Sequence, residues 1–129
     1  MFTLEDFRAA LPELNGSVSL EGLSGPVEVH RDRLGIPHVQ ARSQNDAFLA
    51  QGFVTAQDRL WQMEYDRRRG SGRWAEVVGP SAVAEDKLMR KFRLEASARA
   101  DYLASDASTR EMLDAYAAGV NAFINTTRP

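Results

Sequence analysis

Three groups of residues in this chain have the types and spacing to do chemistry. His30 and His38 flank Asp32 in "HRDRLGIPH", an arrangement that suits a metal site or an acid–base pair. Gln57, Asp58, Arg59 and Gln62 gather in "AQDRLWQ", and Arg67, Arg68 and Arg69 form a basic run of the kind that binds phosphate. Each group also has a plainer reading. The chain holds only two histidines, so no third nitrogen ligand exists, and a structural role outweighs a metal: His38, extended behind Pro37, is expected to satisfy a backbone carbonyl. Glu64 lies four residues before Arg68 and Asp66 three before Arg69, so acids on the same helix can neutralise the run. Cations also suit a helix C-terminus.

The glutamine, aspartate and arginine group sits between apolar stripes, where a solvated helix would show lysine and glutamate. Buried polar groups are hydrogen-bonded, so Gln57, Asp58, Arg59 and Gln62 are expected to hold neighbouring loops or a second chain rather than to catalyse. Asp58 and Arg59 in particular are expected in buried or interfacial hydrogen bonds. The serines lack a local histidine and acid arranged as a triad. The chain has no cysteine, which excludes thiol nucleophiles, disulfides and thiolate metal sites. From chemistry alone, no active site can be assigned.

A length of 129 residues suits about one domain. With 16 basic against 18 acidic residues, the chain lacks the excess positive potential that general polyanion binding needs, so no nucleic-acid partner is expected. The N-terminal "MFTLEDFRAALPELNGS" carries Glu5, Asp6 and Glu13 and lacks the basic start and apolar run of a secretory signal. No segment reads as a membrane span. The expectation is a cytoplasmic chain as written, or a periplasmic or secreted one if its start has been trimmed.

The elements that must position these residues follow from periodicity. Residues 1–10 predict a short amphipathic helix with Phe2, Leu4 and Phe7, stopped ahead of Pro12. Between Ser17 and Ala41 the period is two: "SVSL", "PVEVH" and "IPHVQA" predict two or three short strands, with Pro26 and Pro37 at strand starts or on an edge. Ser43 and Asp46 then resemble a capping box, opening a long helix whose stripe is Leu49, Phe53, Ala56, Leu60 and Met63. Val54, Trp61 and Tyr65 line a second face. After "GSG", a helical turn from Trp74 to Val78 should end at Gly79. A third helical region should run from Pro80 to about Leu103 with Leu88, Phe92, Ala96 and Leu103 inward. A fourth, opened by Ser108 and Glu111 as a second capping box, should carry the stripe Leu113, Tyr116, Ala117, Val120 and Ile124. Gly119 in that helix costs about 1 kcal/mol against alanine, tolerable where another backbone packs close.

In order, "RDRLGIPHVQA", "DAFLAQGFVTAQDRLWQME", "RRRGSGRWAEVVG", the aspartate and arginine of "EDKLMRKF", and "AYAAGVNAFI" resemble the N-terminal part of the α chain of the penicillin acylase (penicillin amidase) family. The resemblance runs from about Gly25 to Ile124. It is specific because five blocks recur in order and spacing. It divides the chain into residues 1–24, an arm and first short strand, and residues 25–129, the α-chain-like segment.

The resemblance implies an N-terminal-nucleophile hydrolase. One precursor cleaves itself into α and β chains that share an αββα body, and the new N-terminal serine of the β chain attacks a linear amide with its own α-amine as base. It implies an α+β fold, mostly helical with two or three N-terminal strands and completed by the β chain. Substrates of such enzymes include the acyl side chain of β-lactams and acyl-homoserine lactones, so antibiotic resistance or quorum quenching comes into view. No catalytic residue is expected in this chain. Pocket residues, and the ligand that family α chains give to a structural calcium, fall beyond Pro129, so no cofactor or metal is expected here. Gln57, Asp58, Arg59, Trp61, Gln62, Arg68 and Trp74 are expected to be structural or interchain residues, on a helix and turn that wrap against the β chain. The isolated chain is expected to self-associate. A non-catalytic helical interaction module with the same packing is the alternative.

Overall fold

The computed structural model describes residues 3–9 and 11–127. A short helix α1 (Leu4–Ala9) precedes an antiparallel pair of strands, β1 (Glu28–Arg31) and β2 (Pro37–Gln40). The expected first strand over residues 17–20 does not form: the segment runs without a ladder partner. Register pairs Glu28 with Gln40, Val29 with Val39, His30 with His38 and Arg31 with Pro37. Among the described residues Pro37 therefore opens a strand with a neighbour on one side only, where its missing amide costs little. Asp32 builds the connecting turn, its Oδ1 accepting the amides of Leu34 at 2.8 Å and Ile36 at 3.0 Å, as aspartate commonly does in tight turns. These two amides, Ile36 first, hold the Asp32 carboxyl below its ordinary range.

Helix α2 (Gln44–Gly70) has 27 residues, about 40 Å at 1.5 Å per residue, with a kink at Arg59 (φ −138°, ψ 16°). Ser43 caps it, its side chain accepting the Asp46 amide at 3.1 Å. The return half of the expected capping box is absent. Asp46, only 1% exposed, turns its carboxylate to Ser24 instead, accepting that residue's amide at 2.8 Å and hydroxyl at 2.6 Å. The helix start is thereby tied to the segment leading into β1. The Ser24 hydroxyl and then its amide favour the charged form, which lowers the Asp46 pKa.

The core lies between α2 and α6 (Ala107–Thr127). Leu49, Ala50, Val54 and Ala56 of α2 are buried, as are Ala115 and Phe123 of α6. Phe53 meets Phe123 edge to face, with ring centroids 5.6 Å apart. Of the expected α2 stripe, Leu49 and Ala56 are buried and Phe53, Leu60 and Met63 half-buried, but Val54, expected on a second face, is buried with them, and the α6 stripe is rotated. Leu113 and Ala117 face solvent, and Ala115, Gly119 and Phe123 take the inward positions. The cap differs too: Asp106 accepts the Thr109 amide at 2.7 Å, so the helix opens two residues before the expected Ser108. Aspartate caps as well as serine does.

Between these helices come α3 (Ala75–Val78), ended by Gly79 as expected, a 3-10 turn over Pro80–Ala82, α4 (Val83–Phe92) and α5 (Leu94–Ala104). The single helix expected from Pro80 to Leu103 is broken at Arg93, which adopts the left-handed conformation (φ 55°, ψ 37°). Leu88, Phe92, Ala96 and Leu103, expected inward, are all exposed, Phe92 by 60%. No other described element covers that side.

Candidate functional site

The polar group of α2 is organised by a residue from the sheet. Arg31, at the end of β1, reaches across to Asp58 with both terminal nitrogens, Nη1 to Oδ2 and Nη2 to Oδ1, each at 2.9 Å. Nη2 also donates to Gln57 Oε1 at 2.9 Å, and Nη1 to the Gly35 carbonyl at 3.0 Å. Gln57 passes the connection on, donating to the Glu13 carbonyl at 2.9 Å. A two-pronged arginine–carboxylate pair fixes orientation as well as adding energy, and here it locks the hairpin turn, the N-terminal segment and the middle of α2 together. The Arg31 side chain is only 16% exposed. Local spacing could not reveal Arg31 as the partner of Asp58; its only signal is its place at the head of "RDRLGIPH".

Asp58 and Gln57 therefore hold neighbouring loops, Asp58 from an exposed position rather than a buried one. Arg59 and Gln62 do not: both are exposed, and their one mutual contact is long, at 3.5 Å. Of the buried or interfacial bonds expected for Arg59, the buried alternative is not found: its side chain is exposed, at the residue where α2 kinks.

The arginine run is neutralised, though not wholly by the acids expected. Glu64 accepts from both Arg67 and Arg68, and Arg68 continues to Glu76 at 2.7 Å. Arg69 pairs with Glu85 and donates to the Tyr65 hydroxyl, leaving Asp66 aside. Arg67 first, with Arg68 beside it, holds the Glu64 carboxyl down at about 2. Trp74, half-buried, packs against Tyr65 at 4.8 Å and Trp61 at 6.1 Å. Trp61 is 66% exposed and offers a large apolar ring to solvent.

Below this cluster, the aspartate and arginine of "EDKLMRKF" clasp the turn after α2. Buried Asp86 accepts the Trp74 amide at 2.9 Å and the Ala75 amide at 2.8 Å, satisfying donors at the start of α3 that no intrahelical carbonyl reaches. Arg90 donates to the Gly72 carbonyl at 2.9 Å. Gly72 is held at φ 64°, with Asp86 O and Arg90 Cγ each 2.6 Å from where a side chain would begin. The motif is thus a fastening of α4 onto the α2–α3 turn.

Neither histidine bonds a serine among the described residues. His38 meets Asp32 at 3.3 Å, a carboxylate rather than the expected carbonyl. Also among the described residues, no three His, Cys, Asp or Glu side chains converge as a metal cage would, and no helix is long and apolar enough to cross a membrane.

A family model for penicillin amidase matches residues 26–129, a span that includes every contact just described except the one to Glu13 and those to Ser24. The chain belongs to the penicillin amidase family. As a penicillin amidase segment it is 50% identical over 125 residues to the penicillin acylase 2 proenzyme of Pseudomonas sp. (strain SE83), covering 97% of this chain and 16% of that protein. It is 36% identical over 115 residues to the acyl-homoserine lactone acylase QuiP of Pseudomonas aeruginosa, covering 89% of this chain and 14% of that one. The thermostable penicillin G acylase of Alcaligenes faecalis superposes with a TM-score of 0.72 at 36% identity, over 80% of this chain and 55% of that chain. The chain thus spans only 14–16% of the length of these two curated relatives. The penicillin amidase region concerned is the N-terminal α-chain region, mostly helical with one pair of antiparallel strands.

Proposed function

We propose that this chain is the α-chain portion of an acylase that hydrolyses a linear amide, with the nucleophile supplied by the N-terminal serine of a separate β chain. The observation that carries the reading is the 50% identity to a penicillin acylase proenzyme across 97% of the chain. In this reading the serine hydroxyl attacks the amide carbonyl, its own α-amine takes the proton, and donors on the β chain hold the oxyanion. The α-chain segment provides the scaffold. Its Arg31–Asp58 clamp and Asp86–Arg90 fastening fix the long helix, and the exposed Trp61, Arg59 and Gln62 are left for the β chain to cover. The similarity to both a penicillin acylase and an acyl-homoserine lactone acylase favours an acyl group on a β-lactam nucleus or on a homoserine lactone as substrate.

The test is turnover of a chromogenic phenylacetyl amide and of a long-chain acyl-homoserine lactone. Residues 1–129 alone should give no rate above buffer, and co-expression with the polypeptide encoded downstream should restore it for one of the two. Native mass spectrometry of that preparation should show a second, larger chain beginning with serine. Activity from the lone chain, abolished by a serine or histidine substitution within it, would overturn the reading. Co-purification of a chain without an N-terminal serine would favour a binding module.

A further inference from the structure

The outer face of the β1–β2 hairpin carries an arrangement that the acylase reading does not use. His30 and His38 are direct cross-strand partners, and both are exposed. Residues directly opposite on antiparallel strands have Cβ atoms about 5 Å apart on the same face, so two imidazoles can meet at one point between them. Glu28 and Gln40, the next pair on that face, line the same shallow recess. Asp32 lies 3.3 Å from His38 Nε2. A carboxylate accepting from one ring nitrogen fixes the neutral tautomer in which the other nitrogen offers its lone pair, the usual outer-shell arrangement at metal-bound histidines.

We propose that His30 and His38 form a two-histidine chelate for a divalent transition-metal ion of the zinc, nickel or copper type, the class that imidazole suits. His38 binds through Nδ1 while Asp32 accepts from its Nε2–H, and water completes the coordination sphere, because among the described residues no group of three His, Cys, Asp or Glu side chains forms a cage. The lack of a third nitrogen ligand limits the strength of the site rather than forbidding it. Two ligands from two strands also make the ion a cross-link of a hairpin that has no other strand beside it among the described residues, so binding favours the folded state by linkage.

The probe is Zn2+ alone, titrated calorimetrically into the full chain, with histidine ring resonances followed by NMR and thermal unfolding recorded with and without metal. One ion should bind per chain, shifting both rings together and raising the unfolding midpoint. His30→Ala and His38→Ala, both at exposed positions, should keep the circular dichroism of the parent, weaken binding at least tenfold each, and abolish the midpoint rise. Asp32→Asn should weaken binding by about tenfold through loss of ring orientation. The proposal is overturned if no heat or ring shift appears at about 1 mM metal, or if His30→Ala binds as tightly as the parent. A metal response arising from carboxylates elsewhere would overturn it equally.

Discussion

Gly52 of α2 lies so close to Tyr116 of α6 that a Cβ on the glycine would fall 2.0 Å from the Tyr116 carbonyl oxygen. The relationship is reciprocated one turn further along: a Cβ on Gly119 of α6 would fall 1.9 Å from the Leu49 carbonyl oxygen. The two helices approach backbone to backbone because each supplies a glycine to the other. That close crossing places Phe53 against Phe123 and leaves Leu49 and Ala56 almost wholly buried.

Gly52→Ala should therefore destabilise the chain by about 3 kcal/mol, because backbone cannot yield as a side chain can, and overpacking of this kind commonly costs 1–3 kcal/mol or more. Alanine is the better helix former by about 1 kcal/mol, so propensity alone would give the opposite sign. Gly119→Ala should behave alike, whereas Gly70→Ala, with open space at the Cβ position, should change stability by no more than about 0.5 kcal/mol. Urea unfolding of the three variants decides between packing and propensity.

Arg31→Ala should cost about 2 kcal/mol, since it leaves Asp58 and Gln57 without their shared donor. In a double-mutant cycle, Arg31→Ala and Asp58→Ala should couple by about 1–2 kcal/mol. Arg31→Lys should recover little, because an ammonium cannot match the two-pronged geometry. Arg59→Ala, at an exposed position, should fall within about 0.5 kcal/mol in the isolated chain. A coupling near zero would place the Arg31–Asp58 pair among solvated surface contacts.

What could be read from the residues beforehand was what period and local punctuation encode. The hairpin strands, Ser43 as the cap of α2, the stripe from Leu49 to Met63, the stop at Gly79 and the close approach at Gly119 all rest on neighbours a few positions away. The misses share the opposite property. Asp58 finds Arg31 and Asp46 finds Ser24, 27 and 22 residues distant, and Arg69 pairs with Glu85 rather than with Asp66 three residues away. Such pairs depend on which elements tertiary packing brings together. The break between α4 and α5 carries no glycine or proline to announce it, and the rotation of α6 follows from the glycine crossing rather than from the strongest apolar stripe.

Arg93 is the one described non-glycine residue with positive φ, and the left-handed region costs an L-residue roughly 1 kcal/mol or more. Its side chain is exposed and takes part in none of the hydrogen bonds or ion pairs described above. Arg93→Gly should stabilise the chain by up to about 1 kcal/mol, the steric relief being partly offset by greater freedom of the unfolded chain. Arg93→Ala should give no such gain. If glycine destabilises instead, the break is not retained in solution and α4 continues into α5.

Acid should weaken the fold partly through Glu64. Its carboxyl titrates at about 2 in the folded chain against an ordinary 4.5, held there by Arg67 and then Arg68. A depressed folded-state pKa means that the unfolded chain binds more protons between those values. The contribution is therefore complete above about pH 5 and is lost progressively as pH falls towards 2. Glu64 is about one-third exposed, so solvent screens part of the attraction and the effect on stability is smaller than the shift alone implies. Unfolding free energy measured by urea between pH 7 and pH 2 should fall through this window in the parent. Glu64→Gln should flatten part of that slope, leaving what Asp46 and Asp32 contribute in the same direction. Added salt should flatten it further in the parent than in the variant, since screening acts on the charge pairs that only the parent possesses. An identical slope in both proteins would mean that the Glu64–Arg67–Arg68 cluster gives the folded chain no net stability.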